Sequence, residues 1–145
     1  MWMQKGVDAL KLKDFATAAD GFAKSYAADT TAGKTALYLG QALGAQGKTE
    51  EAIEAFRHAA WNGEEAEAKE QVSNIYVRQA NAALKGQKFA DAVKAAEKAN
   101  SYVENATAYF IAGQSSQKLS KNADAIKYFE KYLEMKPDAK NAPAI

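Results

Sequence analysis

Two stretches of the chain carry the Gly-Lys-Thr triplet of a phosphate-binding loop, "AGKT" at Ala32–Thr35 and "QGKT" at Gln46–Thr49. In such a loop backbone N–H groups cradle phosphates, the lysine reaches the outer phosphates and the hydroxyl holds Mg²⁺. The loop also needs a glycine five residues ahead of the triplet and a strand before it. Those places hold Ala28 and Ala42, and both triplets adjoin helical patterns. Nucleotide chemistry is therefore not supported. His58 is the one histidine, four residues after Glu54; that is the spacing of a surface pair on a helix, and no serine or cysteine nearby could act with it as a nucleophile. No His-x3-His pair or carboxylate cluster has metal-ligand spacing. The acidic run Glu64–Glu70 is interrupted by Lys69 and alanines and reads as a solvated helix face. Asn105–Thr107 has the form of a glycosylation acceptor, and Asn105 serves equally well as a helix cap. The expectation is a protein that is not an enzyme, with no catalytic residue, no cofactor and no metal.

The elements that position these residues must be helices. The chain has 145 residues, 48% hydrophobic and 26% charged, the balance of one soluble folded domain. Proline occurs only at Pro137 and Pro143, so everything before Lys136 can be helical without a break. A formal charge of +1 argues against nucleic acid or an anionic membrane surface as partner. There is no cysteine, hence no disulfide or thiolate chemistry. No stretch approaches the roughly 18 apolar residues of a membrane span, so membrane insertion is not expected. The opening "MWMQKGVDALKLKD" enters an amphipathic pattern without a capping residue and reads as a cut edge, the form left when a targeting segment has been removed. A soluble protein is expected, cytoplasmic, or periplasmic or secreted if such a signal was present.

Small residues recur along the chain. Ala18, Ala52, Ala92 and Ala125 follow one another at shifts of 34, 40 and 33. Four residues after each stands Phe22, Phe56, Ala96 or Phe129, and seven after each stands Ser25, Ala59, Ala99 or Tyr132. Twelve before each stands Gly6, Gly40, Ala80 or Gly113. A small side chain lets two helix axes approach, and a large one nearby fills the groove. Short polar breaks ("KLKDF", "AQGKTE", "LKGQKF", "KLSKNA") separate paired helical stretches, which makes antiparallel hairpins. The excess between the second and third copies lies in "WNGEEAEAKEQVSN". Asn62-Gly63 is a helix stop, and the strong helix formers after it predict a first helix of the third hairpin extended by nearly two turns.

This pattern resembles the tetratricopeptide repeat, a helix–turn–helix of about 34 residues with aromatic, Leu-Gly, Ala, Phe and Pro markers. Leu39-Gly40 and the Ala-x3-Phe pair mark the second copy; the fourth carries Ala-x3-Phe and ends on Pro137. Lys5, Gln79 and Ala112 stand where the family prefers leucine, Thr49 and Asn122 replace its turn aromatic, and Tyr132 takes a place normally small. The resemblance implies an all-α, right-handed superhelix (solenoid) of about four hairpins over 1–137, with repeats near 1–32, 33–63, 64–104 and 105–137. Residues 138–145 are read as a tail or the start of a truncated further helix.

The resemblance also implies a function: a scaffold whose concave groove, lined by the first helix of each hairpin, binds a protein or peptide segment. By register the groove residues are Leu37, Tyr38 and Gln41, then Val77, Arg78 and Asn81, then Phe110, Ile111 and Gln114, with Met3 and Val7 ahead of them. Amide side chains can donate to and accept from a peptide backbone, while Leu37, Val77 and Phe110 offer apolar contact. The clamp of lysine, arginine and asparagine that holds acidic chaperone tails in some members is not reproduced; of its places only Arg78 fits. The basic inner face of the RNA-binding pentatricopeptide relatives is also missing. The alternative reading is self-association, a homodimer through an uncapped C-terminal helix face carrying Tyr128, Tyr132, Leu133 and Met135, since the end units of such arrays need polar caps.

Overall fold

The computed structural model describes residues 1–136, and among these it is all-α, with no strand. The helices are α1 (Trp2–Lys11), α2 (Phe15–Ala28), α3 (Gly33–Ala45), α4 (Thr49–Ala59), α5 (Glu65–Lys85), α6 (Phe89–Tyr102), α7 (Ala106–Lys118) and α8 (Asn122–Met135). Pro137 and the tail 138–145 lie outside the described residues. The chain forms two compact units, Met1–Val72 and Ser73 onward, with the division inside α5. Helices of repeat arrays touch mainly their neighbours, and each unit is described by itself.

Each helix pair is closed by the same turn. Lys13 N–H donates to the Leu10 carbonyl and Asp14 N–H to that of Ala9; the equivalent pairs are Gly47 to Gly44 with Lys48 to Leu43, Gln87 to Leu84 with Lys88 to Ala83, and Ser120 to Gln117 with Lys121 to Ser116. These are Schellman motifs, in which the residue after the helix takes the left-handed conformation. That residue is Lys13 (φ 58°), Gly47 (φ 79°), Gln87 (φ 58°) and Ser120 (φ 61°). For a residue with a Cβ this conformation costs about 1–2 kcal/mol, and glycine gives back about 0.5–1 kcal/mol through its freer unfolded chain. Gln87→Gly and Ser120→Gly should therefore each raise stability by about 0.5–1 kcal/mol; a urea midpoint that falls instead would contradict the turn.

The small residues do what their spacing predicts. A Cβ built on Gly6 would lie 2.7 Å from the Phe22 ring, on Gly40 2.6 Å from Phe56, and on Gly113 2.4 Å from Phe129. In these three hairpins the ring of Phe22, Phe56 or Phe129 on the second helix packs directly against a glycine of the first. The third pair uses another solution: Ala80 and Ala96, both fully buried, occupy these two places within one core cluster.

Local signals account for the ends. Asp14 accepts from Thr17 N–H at 3.2 Å to cap α2, and Asn105 accepts from Ala108 N–H at 3.2 Å to cap α7. Asn105 thus serves as the helix cap its position offers. Helix α5 has 21 residues against 13 for α3 and for α7, the predicted extension. Ahead of it, Asn62 (φ −103°) and Gly63 (φ 101°) leave the helical conformation. In the second unit the Ser73 hydroxyl lies 2.9 Å from the Ala99 carbonyl and 3.1 Å from that of Val103, and so pins the end of α6 to α5.

Candidate peptide-binding faces

In the first unit Ala9, Ala18, Ala19, Phe22 and Ala42 make one core, and Met3, Val7, Tyr38 and Leu39 pack half-buried against it. The Thr35 hydroxyl of α3 meets the Met3 sulfur of α1 at 3.6 Å. Leu37 is only 3% exposed; its side chain is core and cannot reach a ligand. Tyr38 stacks on Phe22 with ring centroids 5.5 Å apart, so part of its surface is structural. Gln41, one turn along α3, is half-buried.

In the second unit Ala80 of α5, Ala92, Ala96 and Ala99 of α6, and Ala108, Ile111 and Ala112 of α7 form one cluster, with Val77 packed against it. Ile111 belongs to that cluster at 3% exposure, so it too is withdrawn from any groove. Phe110 is half-buried against Phe129 and Tyr132, centroids 5.9 and 5.0 Å away. Arg78 and Asn81 are exposed, and Gln114 is half-buried. Arg78 and Asn81 share a face of α5 at the i, i+3 spacing, as Phe110 and Gln114 do on α7 at i, i+4.

The residues considered for self-association divide. Tyr132 is buried beneath Phe110. Tyr128 donates to Glu97 at 2.5 Å, and burial, then this bond, push its phenol above the ordinary value. Leu133 is half-buried and Met135 is 40% exposed. Nearby, Tyr109 donates to Glu104 at 2.9 Å; burial first, and this bond second, push its pKa up to about 12. Both phenols stay protonated and donate to carboxylates.

His58 is exposed, with Nε2 3.5 Å from Glu54 Oε1, the surface pair its spacing predicts. Within the acidic run Glu65 meets Lys69 at 2.6 Å on an exposed face. Among the described residues no group of three or more His, Cys, Asp or Glu could hold a metal ion. No helix there is long and apolar enough to cross a membrane.

One feature lay outside the sequence reading. Trp61 is 87% exposed and borders an open cleft of about 610 Å³ at the end of α4. A signal for it exists: nine residues after each marker alanine the other copies carry Ala27, Ser101 and Glu134, all small or polar.

A tetratricopeptide-repeat family model matches residues 77–140, and a second matches residues 37–60. The curated proteins contain no significant match to this chain. Among solved structures, a crystal structure of MamA superposes with a TM-score of 0.61 at 22% identity, over 94% of this chain and 77% of that one. A crystal structure of MamA protein gives 0.53 at 22% identity, over 99% and 95% of the two chains. MamA AMB-1 gives 0.57 at 21% identity, over 95% and 73%. These likenesses show a shared fold. The two family matches carry the classification: the chain belongs to the tetratricopeptide-repeat family, whose members are generally non-catalytic interaction scaffolds that bind protein partners.

Proposed function

We propose that this chain assembles a complex by holding a peptide segment of a protein partner on its first helices, with no chemistry of its own. Each hairpin (α1–α2, α3–α4, α5–α6, α7–α8) is taken as one repeat. The observation that carries the reading is in the second unit: exposed Arg78 and Asn81 on α5 and half-exposed Gln114 on α7 stand on helices locked into one alanine-rich core. Helices fixed in this way present their side chains from an already ordered backbone, so that docking a peptide need not order the helices themselves. Asn81 and Gln114 can each donate to and accept from a peptide backbone, and Arg78 can fork onto a carboxylate. Phe110 and Val77 supply apolar contact beside them. In the first unit Tyr38 and Gln41 hold the equivalent places; Leu37 and Ile111 are excluded because they are core.

The test is capture from native lysate by the wild type and by an Arg78→Glu/Asn81→Ala/Gln114→Ala variant. All three side chains are at least partly exposed, so the variant should keep its urea midpoint. Proteins captured by the wild type and lost from the variant are the expected result. Capture that is equal in both moves binding off the first helices and overturns the proposal.

A further inference from the structure

We propose that Asn62-Gly63 is a site of spontaneous deamidation, gated by a side-chain clasp that the product cannot re-form. Asparagine is among the chemically labile residues, and a following glycine has no side chain to shield its backbone nitrogen. Of the chain's seven asparagines only Asn62 precedes a glycine. Gly63 is exposed, at φ 101°.

The clasp is the Asn62 amide. Its Nδ2 donates to the Thr30 carbonyl at 3.1 Å and to the His58 carbonyl at 2.9 Å, tying the loop after α2 to the end of α4. The Asn62 carbonyl in turn lies against Gly33, where a Cβ would stand only 2.4 Å from its oxygen. Gly33 opens α3, and the N-terminus of α3 has no side-chain cap. The start of that helix therefore leans on the Asn62 segment.

The reaction needs water and no other reagent. The Gly63 nitrogen bonds to Asn62 Cγ, the Cγ–Nδ2 bond breaks, and ammonia leaves with the proton of the Gly63 N–H. Water then opens the cyclic imide at either carbonyl, giving aspartate or isoaspartate. In the folded chain two things oppose the first step. Both Nδ2 hydrogens are held by carbonyls. At ψ 30° the Gly63 nitrogen also lies across the Cα–C bond from Cβ, so the ring cannot close until that bond turns. The site reacts from a locally opened state.

The product reverses the clasp. A carboxylate accepts and cannot donate, yet it would face the Thr30 and His58 carbonyl oxygens, where the amide made two bonds. Both acceptors lose their donor and the new charge has no partner there. Isoaspartate also routes the backbone through Cβ, beside the tight contact at Gly33. One opening followed by reaction is thus permanent, and it frees the loop before α3.

Peptide mass mapping of the full chain, incubated folded and in urea in the same mildly alkaline buffer, tests the gate. Conversion at Asn62 should be at least about tenfold slower in the folded protein; equal rates would overturn the gate. Asn62→Asp makes the product directly. It should lower the urea midpoint by more than Asn62→Ala, which removes the donor without adding charge, and it should lose amide-exchange protection at Ala32 and Gly33. A midpoint and exchange pattern equal to those of the wild type would overturn the role of the clasp.

Discussion

Phe56→Ala is expected to cost about 3–5 kcal/mol of unfolding free energy, the largest effect of any single truncation considered for the first unit. The ring is 2% exposed and lies on Gly40, whose missing side chain leaves nothing to move into the space. A cavity that cannot collapse carries the full loss of packing as well as of transfer energy. The third hairpin shows how the space can be closed from the other side, since Ala80 and Ala96 fill these two places. Phe56→Ala combined with Gly40→Ala should accordingly be more stable than the sum of the single changes predicts, by about 0.5–3 kcal/mol. Urea unfolding of the wild type, both single variants and the double variant measures this coupling; a value of zero would separate the two residues.

The opposite error, too much volume, gives the second large effect. Gly40→Leu should lose about 1–3 kcal/mol by overpacking. A Cβ alone would stand 2.6 Å from the Phe56 ring, closer than real contacts allow, and the helix backbone behind it cannot retreat without disturbing buried Ala36 and Leu37. The change adds apolar surface and would be harmless or favourable at an exposed site. A midpoint equal to that of the wild type would therefore show that α3 and α4 do not meet at Gly40.

The hairpins were legible because their contacts are written in residue size. Gly6, Gly40 and Gly113 recur at fixed distances from Phe22, Phe56 and Phe129, and no other arrangement needs that pairing. The long α5 and the stop at Asn62-Gly63 could be read because propensity and turn chemistry are local. The groove was less legible, for a geometric reason. Adjacent residues on a helix point about 100° apart, so placing Leu37 and Tyr38 together, or Phe110 and Ile111 together, necessarily mixed core with surface. The left-handed turn residues Lys13, Gln87 and Ser120 carried no signal, because their turns are closed by backbone hydrogen bonds alone. The Tyr128–Glu97 bond joins residues 31 apart on different helices, which no spacing rule could anticipate.

The two ways of filling the helix contact, glycine under phenylalanine and alanine against alanine, have a consequence for how such a chain can change over generations. A hairpin cannot pass from one to the other in a single step without either a hole or a clash, yet both end points are occupied within this one molecule. The repeats therefore sit in separate basins of sequence space, with a poorly folded intermediate between them. Copies in the same basin can drift in charge and shape on their outer faces while this pair stays fixed, so ancestry within the array should be traced through the glycine–phenylalanine pairs before the surface residues.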